Sequence, residues 1–199
     1  MIAKEGQLMK IEYGTDIGPV RSSNQDACEC GMFSEKSAWA IVCDGMGGAN
    51  GGDVASKTAV ETLKKTILSE FTEEMTAEQL EAMLLRAVQK ANNVVYSLSR
   101  EQSALRGMGT TVVLMVAAGK RLHIAHVSDS RAYLYGDHKV RQVTTDHSYV
   151  QDLVKLGHIT QEEARVHPQR NIITRVLGVH PEVQCDYFQC DFTLGNVAL

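Results

Sequence analysis

Between Asp53 and Val143 the hydrophobic period of the chain changes once, and that change restricts the fold more than any other feature. In Asp53–Phe71 the positions Val60, Leu63, Ile67 and Phe71 recur at three- and four-residue steps, which marks one face of a helix. Thr76 with Gln79 forms a capping-box pattern and opens a second helix to about Arg100, with Leu80, Leu84, Ala87, Ala91 and Val95 as its stripe. Strand-like runs follow at Gly109–Ala117, Arg121–Val127, Arg131–Tyr135 and Lys139–Val143. Their separators, Ala118-Gly-Lys120, Ser128-Asp-Ser130 and Gly136-Asp-His138, are short and turn-forming. Connections this short join antiparallel strands, so a meander is expected here. Upstream, Ile11–Thr15 reads as a short strand and Ser37–Cys43 as a buried one. Downstream, Ser148–Leu156 and a segment opened by Thr160 and Glu163 read as short helices. Helices packed on antiparallel sheet, an α+β layered sandwich, bury these faces most economically.

The chain has 199 residues, 44% of them hydrophobic, which suffices for one domain with its own core. The formal net charge is -4 and no basic block stands out, so there is no case for a nucleic-acid partner. Met1–Lys10 lacks the make-up of a signal peptide. The longest apolar run, Val112–Ala118, is strand-sized, so membrane insertion is not expected. Cys28, Cys30, Cys43, Cys185 and Cys190 form neither a zinc set nor a redox pair, and they read as thiols of a reducing cytoplasm.

The residues with chemical promise are acidic. Asp44 ends the buried strand Ser37–Cys43, and a carboxylate there is costly to desolvate without a compensating cation. Asp26, in Arg21-Ser-Ser-Asn-Gln-Asp26, sharpens the problem if it converges on Asp44, because like charges repel. A hard divalent cation with oxygen ligands, magnesium or manganese, resolves it. Gly45 would let the chain turn sharply after Asp44 and aim its carbonyl at the same ion. Gly47, Gly48, Gly51 and Gly52 would form an exposed, amide-rich loop. A glycine-rich surface turn with one stray aspartate is the other reading of these residues, and a nucleotide phosphate loop fits poorly because no lysine closes it. Arg21 offers a fork of donors suited to a phosphoryl group, or a surface salt bridge. Asp129 sits in a turn and by itself reads as a backbone cap. His126, His147 and His167 lie near no nucleophile, and no serine elbow is present.

Several ordered matches carry a resemblance. Thr15-Asp-Ile-Gly-Pro-Val-Arg-Ser-Ser-Asn-Gln-Asp26, Cys43-Asp-Gly-Met-Gly-Gly48, Gly107-Met-Gly-Thr-Thr111, Asp129-Ser-Arg131 and Thr174-Arg-Val-Leu-Gly178 recur in order along the chain. Together they make it similar to the PPM (type 2C) metal-dependent serine/threonine protein phosphatases, small bacterial branch. The resemblance implies a four-layer α-β-β-α sandwich, one catalytic domain over 1–199 and a flap-like insertion at about 145–178. It implies hydrolysis of phosphoserine and phosphothreonine in proteins by a metal-activated water, with two manganese or magnesium ions and the weaker third ion that some members hold. By position, Asp44 would bridge the ions, the Gly45 carbonyl would bind one of them, Asp26 would sit beside them, Asp129 would serve the third ion and Arg21 would hold the substrate phosphate. Phosphorylated proteins, and a cognate bacterial serine/threonine kinase, are the partners implied.

Three departures from the pattern stand out. Ser128 replaces a usual glycine before Asp129. Met46 stands where animal members carry a histidine thought to act as general acid, so the leaving alkoxide must take its proton from elsewhere. The family continues with a core strand ending in Asp-Gly and a later Asn-x-Asp segment, and Leu194–Leu199 reads as the start of that strand. On this reading the domain is incomplete at its C-terminus, and an inactive metal- or phosphoprotein-binding fragment is the alternative.

Overall fold

The computed structural model describes residues 1–5 and 8–199, with residues 2–5, 8 and 48–50 described by their backbone only. Two antiparallel sheets stack face to face. The inner sheet runs β10(Asp186–Asp191)-β7(Arg121–Val127)-β6(Val112–Ala118)-β4(Ser37–Met46)-β3(Asp26–Ser34), with the short β5(Gly109–Thr110) paired to the end of β4. The outer sheet runs β2(Leu8–Ile11)-β1(Ile2–Glu5)-β11(Val197–Ala198)-β8(Tyr133–Gly136)-β9(Lys139–Gln142). Helices α1(Gly48–Glu70) and α2(Ala77–Glu101) cover the free face of the inner sheet. The α+β class is as expected, and the described residues supply three layers in the order α-β-β.

Strand alternation builds two cores from one sheet. Trp39, Ile41 and Cys43 of β4 and Val112, Leu114 and Val116 of β6 face Leu63, Ile67, Leu84, Ala87 and Val95 of the helices. Ala38, Ala40, Val113, Met115, Leu122 and Ile124 point the other way, onto Leu134 and Ala198 of the outer sheet. The expected capping box of α2 is present, with the Thr76 hydroxyl accepting from Gln79 N and the Gln79 side chain accepting from Thr76 N at 2.9 Å. Thr160 and Glu163 cap the six-residue α4(Gln161–Val166) in the same way, and Ser148 caps α3(Tyr149–Lys155).

Three expectations need correction, and two strands were not expected at all. The expected strand Ile11–Thr15 is absent beyond its first residue: β2 ends at Ile11, and residues 12–17 are irregular. β3 pairs along nearly the whole length of β4, although its half-buried edge position gave no clean alternation in the sequence. β10 likewise had no sequence signal. The supposed meander is broken, because β7 and β8 lie in different sheets and Ser128–Ala132 carries the chain across the sandwich. Ser128 takes a left-handed φ of 89° at that corner. Near the C-terminus, Asn196 folds back on Thr193, accepting from its N–H at 2.8 Å, and so delays β11 to Val197.

Two buried polar groups test this packing. Asn92 of α2 donates to the carbonyls of His180 and Pro181 at 2.9 and 3.1 Å and accepts from Gly178 N at 2.8 Å. Asn92→Ala strands these groups and is expected to cost about 2–4 kcal/mol, read as a lower urea midpoint at unchanged m. His126 of β7 is fully buried with Nε2 2.8 Å from Ser130 O. Burial, and then the neighbouring His147, push its imidazole down to about 4. Below the ordinary value of 6.5 the unfolded chain takes the proton while the folded chain refuses it, so stability falls as pH drops from there towards 4. Thermal melts across this window are expected to show the loss. His126→Gln, which keeps a donor for Ser130 O, should flatten the curve in part.

Candidate active site

The acid pair is set by strand register. Asp26 opens β3 and Asp44 lies near the end of β4, and the two face each other directly across the antiparallel ladder. Like charges in this position destabilise a sheet. Burial, and then Asp26 itself, push the Asp44 carboxyl up to about 6, while Arg21 pulls the other way. Asp26 Oδ1 is buried with no hydrogen-bond partner among the described residues. An unsatisfied carboxylate oxygen facing a second carboxylate is a site short of positive charge.

The surrounding backbone holds the pair in place. Asp44 N donates to Thr111 Oγ1 at 2.8 Å, Thr111 N donates to Asp44 O at 2.9 Å, and Thr110 Oγ1 donates to the same carbonyl at 3.0 Å. Gly45 N donates to Gln25 O at 3.0 Å, and Asp26 N to Asn24 Oδ1 at 3.0 Å. Asn24 in turn donates to Thr15 Oγ1 at 2.8 Å, which ties down the loop that carries Arg21.

The glycines act differently from the sequence expectation. Gly45 does not turn; it continues β4 and pairs with Thr110. A Cβ there would lie 1.9 Å from Gly52 O, so glycine is needed for close approach of strand and helix. The reversal falls at Gly47, where φ is 134°. From Gly48 onward the chain is helical, and Gly51 and Gly52 are buried rather than displayed in an exposed loop. Close packing of the helix start against β4 overrides the low helix propensity of the glycines.

Arg21, Asp44, Gly45 and Asp129 meet around one cleft of about 490 Å³, together with Gln25, Met46, Thr111, Asn171 and Ile173. Asp26 lies behind it, in an adjoining cleft of about 370 Å³ that shares Asp44 and contains Ser130 and Asp16. All five candidate residues therefore converge, with Asp44 as the common wall. Asp129 is exposed at its turn and accepts from Ser128 Oγ at 3.3 Å. His167 lies outside this lining. Sequence reasoning gave no role to Thr110 and Thr111, although the match Gly107–Thr111 contained them. It also gave none to Asn171 or Ile173, whose position depends on how the segment after α4 folds back.

The residues present fit divalent cations. The buried, unpartnered Asp26 oxygen, the raised Asp44 carboxyl and the adjacent Gly45 peptide offer hard oxygen donors and excess negative charge. Among the described residues no three His, Cys, Asp or Glu side chains form a ready-made cluster. The nucleus is thus this pair, with Asp129 farther along the same wall.

A family model described as Protein phosphatase 2C matches residues 19–179. The serine/threonine phosphatase stp of Listeria monocytogenes is 40% identical over 193 residues, covering 96% of this chain and 75% of the relative. Among solved structures, the serine/threonine phosphatase Stp1 from Staphylococcus aureus superposes with a TM-score of 0.87 at 37% identity, over 96% of this chain and 74% of that one. The catalytic domain of the serine threonine protein phosphatase PstP, solved with two manganese ions, matches with a TM-score of 0.75 at 33% identity, over 92% and 72%. These likenesses favour a hydrolase over a phosphoprotein-binding module. The chain belongs to the protein phosphatase 2C family of serine/threonine phosphatases.

Proposed function

We propose that the cleft between Arg21 and Asp129 hydrolyses phosphoserine and phosphothreonine in protein substrates, and that Asp26 and Asp44 are the heart of its metal site. The observation that carries this reading is the pairing of two acids across adjacent strands, one of them with an unpartnered buried oxygen. Asp44 and the Gly45 carbonyl would hold the ions, with Asp26 beside them. Asp129 would serve a weaker third ion. When bound, the ions supply an activated water and neutralise charge on the phosphoryl oxygens.

The other steps belong to the chain itself. Arg21, exposed at the mouth of the cleft, binds the phosphoryl oxygens through its fork of donors and orients phosphorus towards the acid pair. Thr110 and Thr111 fix the Asp44 backbone, so the carboxylates need not reorganise during reaction. Residues 145–178 form the flap, which brings Asn171 and Ile173 to the rim where a peptide would lie. The two manganese ions of the PstP catalytic domain favour manganese over magnesium as the first ion to test. Phosphoproteins are the substrates, and a cognate serine/threonine kinase is the natural source of them. A cytoplasmic setting suits the five free thiols. Among the described residues no helix is long and apolar enough to cross a membrane.

Manganese-dependent phosphate release from a phosphothreonine peptide is the direct test, and no release by the folded chain would overturn the reading. Asp44→Asn is expected to abolish both release and calorimetric manganese binding. In metal-free buffer the same substitution should stabilise the fold. Because the Asp44 carboxyl is raised, the folded chain holds a proton that the unfolded chain releases, so stability falls as pH rises from about 4 through 6. Asp44→Asn is therefore expected to melt a few degrees above the parent at pH 7.5, on the order of 2–4 °C per kcal/mol for a chain of this size. The difference should shrink as pH falls through 6. Arg21→Ala is expected to raise KM for the phosphopeptide about tenfold or more, with manganese affinity unchanged.

A further inference from the structure

A short segment, Thr144–His147, runs alongside the sheet-crossing corner and grips it on both sides of Asp129. Ala132 N donates to Thr144 Oγ1 at 3.0 Å. Arg131 is held in a two-pronged pair by Asp146, with Nε 2.9 Å from Oδ1 and Nη2 2.6 Å from Oδ2. On the other side, both backbone groups of Ser128 are taken by one residue. Ser128 N donates to His147 Nδ1 at 2.9 Å, and His147 N donates to Ser128 O at 2.8 Å. Between these anchors Asp129 projects into the cleft.

The histidine is itself fixed. A nitrogen that accepts from a backbone N–H carries no proton, so the proton of the imidazole sits on Nε2. Nε2 lies 3.0 Å from Asp186 Oδ2, which receives it. Arg175 Nη1 donates to the other Asp186 oxygen at 2.6 Å. Burial favours the neutral ring, and the side chain is 2% exposed. The outer end of the segment is tied to the returning part of the flap, with Thr174 N donating to His147 O at 2.8 Å and Tyr149 N to Ile172 O at 2.9 Å.

Ser128 is the reason this matters. It is a non-glycine residue at φ 89°, a strained conformation for an L-residue that persists only where its surroundings hold it. His147 satisfies both of its backbone groups in that geometry. We propose that His147 is a positioning residue for the metal site: by clamping Ser128 in the left-handed conformation it aims the Asp129 carboxylate into the cleft, and through Thr174 and Arg175 it links that aim to the flap. This rests on the reading of Asp129 as a ligand of the weaker ion.

The test is calorimetric titration of manganese ion into the whole chain, with thermal melts as a fold control. Asp129→Asn serves as the reference for loss of the ligand. His147→Gln keeps a donor near Asp186 but removes the acceptor for Ser128 N, and is expected to weaken the weakest manganese step by about 10–100-fold, as loss of groups that orient a ligand does. His147→Asn places an amide oxygen close to the Nδ1 position and is expected to retain the parent affinity. Ser128→Gly in the His147→Gln background, where glycine adopts the corner without a clamp, is expected to restore most of the lost affinity. A merely structural histidine would not be rescued in this way. If Asp129→Asn weakens binding while His147→Gln does not, the clamp is overturned and Asp129 stands. If Asp129→Asn leaves the isotherm unchanged, the reading of Asp129 falls and takes the clamp with it. If His147→Gln loses its melting transition, His147→Asn and the double variant decide. Folded forms of both that bind as weakly as Asp129→Asn overturn the clamp, and parent-like affinity in both supports it.

Discussion

Repulsion between Asp26 and Asp44 is the constraint around which the rest of the site is arranged. Two carboxylates directly opposed at the end of neighbouring strands would separate if the backbone allowed it. It does not allow it. Both strands belong to the sheet that carries the helix-facing core, and Asp44 is pinned at its N–H and its carbonyl by consecutive threonines. Closure of α1 onto Gly45 leaves no room for a side chain, so β4 cannot relax towards the helix. The strain of the pair therefore remains as an electrostatic deficit, which a divalent cation is suited to fill.

The second acidic contribution depends on a change of sheet. The chain leaves β7 in the inner sheet and reaches β8 in the outer sheet through Ser128–Ala132, and Asp129 sits at the bend. A hairpin between β7 and β8 would have kept this residue in one sheet. The crossing instead presents it on the wall that Asp44 already lines, with Ser130 Oγ 2.7 Å from the same Thr111 Oγ1 that receives Asp44 N. Asp44 and the Asp129 corner are thus two hydrogen bonds apart through one threonine hydroxyl.

Much of this was legible in the sequence. The helix pair, both capping boxes and the strands β6 and β7 follow from local pattern and cap chemistry, because each depends on residues three or four positions apart or on a short apolar run bounded by turn residues. Arg21, Asp26, Asp44 and Asp129 stood out through chemistry and resemblance. What stayed hidden was set by distant partners. Gly48–Gly52 are helical because packing on β4 outweighs propensity. β3 is a strand because it pairs with β4, not because its residues alternate. Whether a three-residue separator makes a hairpin or a sheet crossing is undecided by the separator Ser128-Asp-Ser130 itself. It is decided by His147, Asp146 and Thr144 fourteen to nineteen residues later.

That last dependence separates the acids from the connection between β9 and β10. Cleft residues of two kinds meet here. Asp26, Asp44 and the threonines lie on or beside packed strands and have little freedom to move. Asn171 and Ile173 arrive on a connection between α4 and β10 that is bonded to the body chiefly through residues 147–149, Thr110 and Asn92. Substitutions along α3 and α4 can therefore reshape the rim without altering the register of β3 and β4. The junction of the two parts is the Asp129 corner, which is gripped by Thr144–His147 just before α3. The contacts of this connection thus reach Asp129 directly, through its neighbours Ser128 and Arg131, and Asp44 only through Thr111.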